Sequence, residues 1–110
     1  CINSFNLENI MLKHYEALSA AMKGKKKVSV RRSIVGVTVR HYETDIFSVK
    51  LYSVVLSSGG LFSVTTKRHI NNCFAALGLH SQVYQRNGTW YVSDEAGEEH
   101  TYFDGISILL

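Results

Sequence analysis

The 110-residue sequence contains no proline and only two cysteines, and charged residues make up 19% of it. With no proline, internal repeat or low-complexity tract, nothing divides the chain, and its length is that of one small domain. No apolar run reaches the ~18 residues that cross a bilayer. The opening Cys1-Ile2-Asn3-Ser4-Phe5 lacks the charged and apolar regions of a signal peptide. The expectation is a cytoplasmic protein without a membrane association. Cys1 and Cys73 make neither a metal-ligand spacing nor a disulfide framework, which fits a reducing compartment. In place of an initiator Met, Cys1 is a processed end, a truncation or a cloning remnant. As a nucleophile or lipid anchor it would need a partner base or a lipoprotein signal, and neither is visible. A chain this short buries roughly two-thirds of its unfolded surface. That is enough for one core, and it argues against a large multi-site enzyme.

What is present is a clear change of period along the chain. Residues 5 to 24 read as a helix, with Leu7, Ile10, Met11, His14, Leu18 and Ala21 or Met22 at three- and four-residue steps. Asn6 is the expected N-cap, Phe5 is placed to staple onto Ile10, and Gly24 is the expected stop. From Val28 the period becomes two. Val28 and Val30 alternate with Ser29 and Arg31, and Val35, Val37 and Val39 alternate with Gly36, Thr38 and Arg40. Glu43-Thr44-Asp45 is the expected turn before Ile46–Val49, and a strand over Ser53–Leu56 runs into the loop Ser57-Ser58-Gly59-Gly60.

Ile70, Cys73, Phe74 and Leu77 then mark a second helix, with Thr65 or Thr66 as its cap and Gly78 as its stop. Arg86-Asn87-Gly88 is a tight-turn signal between strands 82–85 and 89–92. The closing strands are Thr101–Phe103 and Ile106–Leu109, divided by Asp104-Gly105. Helix, strands, helix, strands is an α+β pattern: a mostly antiparallel sheet packed against two helices in a single domain spanning residues 1–110.

His41-Tyr42-Glu43-Thr44-Asp45-Ile46, Val55-Leu56-Ser57-Ser58-Gly59-Gly60 and Thr65-Thr66-Lys67-Arg68-His69-Ile70-Asn71 carry a more specific signal. With Gly88-Thr89-Trp90-Tyr91-Val92 and Phe103-Asp104-Gly105, they resemble a group of small, uncharacterised tailed-bacteriophage proteins. The group's pattern is T-D-I, L-x-S-G-G, T-T-K-x-x-I-N, G-x-W-Y-V and F-x-D-G. The resemblance covers about residues 38 to 110, and Leu61 stands where the group usually has an aromatic residue. It implies a phage origin and action in the cytoplasm of an infected bacterial host. It implies no catalytic residue.

Charge is unevenly spread although the net value is only +3. Six basic residues and no acid lie between Lys23 and Arg32. Of these, Lys25, Lys26, Lys27, Arg31 and Arg32 are candidates for binding phosphates or an acidic protein face. The alternative is a solvated connector. Asp94, Glu95, Glu98 and Glu99 form the opposite pole, either a solubilising loop or a second contact surface. Lys67 and Arg68 stand at the positive end of a helix, where cations are disfavoured, so with Thr65 and Thr66 they make a candidate anion site. The alternative is plain capping, with the two basic chains in water.

None of the five histidines, His14, His41, His69, His80 and His100, makes a ligand motif with a Cys or another His, so neither a metal nor a cofactor is expected. Cys73 on the apolar stripe reads as an inert core thiol. Tyr84, Tyr91 and Tyr102, if they share an exposed face, form a base-stacking platform or a protein-contact patch. The leading expectation is a non-catalytic phage accessory protein that binds and modulates a host bacterial protein. The alternative is a nucleic-acid-binding module using the basic 23–32 segment.

Overall fold

The alternation of period becomes two helices and two antiparallel sheets in the computed structural model, which describes residues 4–110 and side chains from Glu8 onward. Helix α1 runs Ser4–Met22, and strands β1 (Val28–Arg32), β2 (Val37–His41), β3 (Thr44–Val49) and β4 (Ser53–Leu56) follow. After α2 (Val64–Ala76) come β5 (Gln82–Arg86), β6 (Thr89–Ser93), β7 (Glu99–Thr101) and β8 (Ser107–Leu109). One sheet has the order β1-β2-β3-β4-β8 and the other β5-β6-β7, with every pairing antiparallel. The α+β class expected from the pattern is observed, as two sheets instead of one. Strand periodicity reports which face is buried and carries no information about partners, so the division was not legible.

The alternating valines of β2 put Val37 and Val39 into the core, where they meet Ile46, Phe47 and Val49 of β3 and Val54 and Leu56 of β4. Met11, Leu18 and Met22 of α1 and Ile70, Cys73 and Phe74 of α2 complete the same cluster. Phe74 meets Phe47 edge to face, with ring centroids 5.1 Å apart. Burial pushes the Cys73 thiol up to about 12, so it stays a neutral packing group as expected.

Several boundaries differ from the sequence reading, each for a local physical reason. The α1 backbone is already helical at Ser4, so Asn6 lies inside the helix; its side chain, the Phe5 side chain of the staple and all of Cys1 lie outside the described residues. Val35 is not on the strand but in the turn before it, and is 67% exposed. Gly36 sets that boundary: a Cβ there would lie 2.2 Å from the Val49 carbonyl oxygen, so only glycine lets the strands approach. Ser33 N–H closes the turn on the Gly36 carbonyl at 2.8 Å.

The β2–β3 turn is Tyr42-Glu43, one residue earlier than expected, because His41 pairs with Thr44 across a two-residue loop. Neither Thr65 nor Thr66 caps α2. Ser63 holds the extended cap conformation and accepts from Thr66 N–H, which leaves both threonines in the first turn. Asn87 and Gly88, at φ 52° and 81°, make the expected tight turn between β5 and β6. The strand expected over Thr101–Phe103 ends at Thr101, and Tyr102 turns into the core.

Candidate functional site

The sequence motifs converge on one end of the large sheet. The Asp104 carboxylate, in the turn before β8, reaches across to the loop after β4. It accepts from Ser58 N–H at 2.7 Å, Ser58 Oγ at 2.8 Å and Gly60 N–H at 3.1 Å, while Tyr102 O–H donates to it at 2.8 Å. Burial pushes the Asp104 carboxyl up, but these donors outweigh it and hold the group below the usual carboxylate range. Burial, and after it the hydrogen bond and charge of Asp104, push the Tyr102 hydroxyl upward, so it remains a donor. Gly59 packs on Thr44 so closely that a Cβ would sit 2.3 Å from the threonine Oγ1. Three segments far apart in sequence are thereby locked into one joint. Beside it lies a depression of about 390 Å³, lined in part by His41, Thr44, Ser58, Gly59, Leu61 and Thr66.

Under this joint, His41 of β2 and His69 of α2 meet edge to face at 4.9 Å. Both are buried, and His69 Nδ1 has no hydrogen-bond partner. Burial lowers the His41 imidazole. His69 is lowered by burial first, and then by the charges of His41, Lys25 and Arg68. Lys25 and Arg68, 43 residues apart in sequence, therefore act on the same imidazole.

The pH consequence is directional. In the unfolded chain these histidines protonate near pH 6.5, whereas the folded protein holds them neutral to lower pH. Stability should therefore be complete above about pH 6.5 and decline as acid protonates the unfolded chain first. His14, lowered by burial in α1, adds in the same direction. Urea midpoints measured at pH 8 and pH 5.5 should fall toward the lower value, and His69→Phe should flatten the difference.

The structure places the other candidate residues as follows. Lys25, Lys26 and Lys27 are exposed on the α1–β1 connector. Arg31 and Arg32 follow on β1, an edge strand, where successive side chains point to opposite faces. Arg32 lies over the Tyr15 ring of α1 at 5.6 Å, so the five cations do not form one continuous surface. Lys67 is directed at the small sheet: its Nζ donates to Gln85 at 2.9 Å and sits 5.4 Å from the centre of the Trp90 ring. Arg68 is exposed, as is Thr65, whereas Thr66 is buried with its hydroxyl on Ser63.

The three tyrosines do not share a face. Tyr84 and Tyr91 stack at 5.9 Å on the outer face of the small sheet, and Tyr102 is buried against Trp90. Arg86 lies 4.5 Å above Tyr91 and makes a two-pronged pair with Glu99, which also accepts from Tyr84. The acidic run is likewise put to structural use. Glu95 accepts from His80 N–H and from the backbone and hydroxyl of Ser81, and Asp94 accepts from Ala96 and Glu98 N–H.

The sequence reading noted Leu61 only as a departure from the phage group's pattern and assigned no role to Leu61, Phe62 or Val64. These side chains are 56%, 54% and 63% exposed, the first two just before α2 and Val64 as its first residue. Phe62 lies edge to face on Trp90 at 4.9 Å, so one side of the ring is anchored while the rest faces water. Val64 lines a shallow depression with Lys67, Arg68, Asn71, Tyr84 and Gln85. The available signal was an apolar pair directly after two glycines, where a loop is ordinarily polar.

Compared with known proteins, the chain matches the family model described as Kyanoviridae Gp96 protein over residues 6–108. It belongs to that family. The phage origin expected from the motifs is thus shown, and the match spans both sheets and both helices. No curated protein and no solved structure gives a match. Among the described residues no helix is long and apolar enough to cross a membrane.

Proposed function

We propose that this member of the family is a non-catalytic phage accessory protein that binds and modulates a host bacterial protein in the cytoplasm of the infected cell. The observation that supports this reading is the exposure of the successive apolar side chains Leu61, Phe62 and Val64, the last of which lines a shallow depression with Lys67 and Arg68. Apolar side chains gathered at a surface and rimmed by polar ones are the usual composition of a protein contact, with aromatic and Arg residues enriched in it. The cations favour a partner whose rim is acidic, which they would attract and orient.

A second reading rests on the exposure of Lys25, Lys26 and Lys27. These are placed to meet phosphates, with Arg31 beside them on the edge strand.

Affinity capture from host lysate, with and without nuclease, separates the two. One stoichiometric host protein retained after nuclease, and lost on Leu61→Asp or Val64→Asp, is the expected result. Both positions are more than half exposed, so these changes should leave the fold intact. Recovery that vanishes with nuclease and persists in both Asp variants would assign the function to the lysine run. Lys25→Ala, Lys26→Ala and Lys27→Ala combined should then weaken binding to every nucleic-acid sequence alike and flatten its salt dependence.

A further inference from the structure

The turn joining β6 to β7 gathers three donors of two kinds. Asp94, Glu98 and His100 each bring one ligand atom to within 4.8 Å of the other two. Asp94 Oδ1 is fixed by Ala96 and Glu98 N–H at 3.0 and 2.9 Å, which leaves Oδ2 facing His100 Nε2 at 2.8 Å. Asp94 N–H in turn donates to the Glu98 carbonyl at 2.9 Å, so the backbone carrying two of the donors is closed on itself. An imidazole distinguishes this set from an ordinary acidic surface turn. A second feature lies alongside it. Asp94 and His100 line the wall of a groove of about 690 Å³ that runs to Phe103, Ile106, Leu109 and Leu110, between the free edges of β7 and β8. Two of the three donors thus stand at the margin of a concave space that can admit a further ligand.

We propose that Asp94, Glu98 and His100 form a binding site for a divalent metal ion of the zinc class. One nitrogen and two carboxylate oxygens suit Zn²⁺ and its transition-metal neighbours, whereas Mg²⁺ and Ca²⁺ prefer oxygen ligands alone. Metal–donor distances of about 2.1 Å in a tetrahedron put the donors about 3.4 Å apart. Loading therefore widens the Asp94–His100 contact and draws Glu98 inward, movements open to surface side chains. The Asp94–His100 hydrogen bond gives way to two metal bonds: the Nε2 proton that His100 donates to Asp94 passes to solvent, or to Nδ1 where the ring is neutral, which frees the Nε2 lone pair for the metal and leaves one proton on Nδ1. Three protein ligands leave a fourth position for water or for a donor group of a molecule seated in the groove. The site lies on the small sheet and involves none of Leu61, Phe62, Val64, Lys67 or Arg68, so it stands or falls independently of the proposed host contact.

Titration of the purified chain at pH 7 with Co²⁺, followed by visible absorption, and with Zn²⁺, followed by calorimetry, tests the site. One saturable equivalent is expected, with Zn²⁺ displacing Co²⁺ and a large excess of Mg²⁺ displacing neither. His100→Ala and Glu98→Gln should each weaken binding by about tenfold or more, since each removes a direct ligand. His80→Ala, which removes an exposed histidine outside the cluster, should leave the titration unchanged. Asp94 is left intact because it holds the turn. Absence of a saturable equivalent, or unchanged affinity in both His100→Ala and Glu98→Gln, would overturn the proposal and leave the cluster as a plain surface ion pair.

Discussion

Phe74→Ala should lower the stability of the protein by about 3 to 5 kcal/mol, a large share of the ~5 to 15 kcal/mol that holds a domain folded. Phe74 is 1% exposed and meets Phe47 of β3 edge to face, so truncation removes the ring from the contact between α2 and the large sheet. Ile70 and Cys73 beside it are fully buried, and neither can move into the space without giving up its own contacts. Urea denaturation checks the size of the effect, and soluble yield should fall with it. Phe74→Leu keeps most of the volume and should cost clearly less. Arg68→Ala, one and a half turns away on the exposed side of the same helix, should stay within about 0.5 kcal/mol. If Phe74→Ala were as stable as the parent while losing a partner, the stripe would be an interface and the core would lie elsewhere.

That α2 was legible follows from the same packing. One-sided burial leaves a one-sided record, and Ile70, Cys73, Phe74 and Leu77 carried it. Where the helix begins was less legible because Ser63, Thr65 and Thr66 all offer a capping hydroxyl. The choice among them belongs to tertiary structure. Phe62 anchors on Trp90, and Ser63 at φ −108° and ψ 159° holds the extended conformation that a cap requires. Val35 was misplaced for a similar reason: its alternation with Val37 is real, but Gly36 must pass the Val49 backbone of another strand, a constraint no local pattern contains.

The candidate sites divide along the same line. Lys25, Lys26 and Lys27 were visible because they adjoin one another in sequence. The influence of Lys25 and Arg68 on one buried histidine, the attachment of Lys67 to Gln85 and Trp90, and the gathering of Asp94, Glu98 and His100 depend on chain reversals. Residue spacing alone does not encode them. Tyr102 illustrates the reverse case. It looked like a partner of Tyr84 and Tyr91, but β7 stops one residue short of it and the side chain turns inward to Asp104.

Asp104→Asn should have the second-largest effect, and it probes the joint from which the exposed row Leu61, Phe62 and Val64 projects. The carboxylate is acceptor-only, and all four groups facing it at 2.7–3.1 Å donate: Ser58 N–H, Ser58 Oγ, Gly60 N–H and Tyr102 O–H. An amide of the same shape must turn its NH₂ toward some of these donors. A hydrogen bond to a charged group contributes about 1.5 to 3 kcal/mol. Asp104 is open to water on one side, so the loss should be about 2 kcal/mol and not the sum over its partners.

The acid limb of the stability curve gives an independent measure of the same joint. A carboxyl held below its usual range stabilises the fold at pH values above the unfolded value of about 3.9 and loses that contribution as pH falls through the folded one. The parent should therefore weaken steeply below about pH 4, apart from the histidine-dependent decline nearer pH 6, and Asp104→Asn should weaken less steeply there. Glu95, Glu99 and Asp94, also held low, remain in both proteins and set the residual slope. At neutral pH the variant should still fold but release Gly60 from Asp104, and with it the backbone that presents Leu61 and Phe62. On the proposed reading, capture of a host protein should then weaken although Lys67, Arg68 and Val64 are untouched. Unchanged stability together with full partner binding would show that Ser58 and Gly60 are held in place without Asp104.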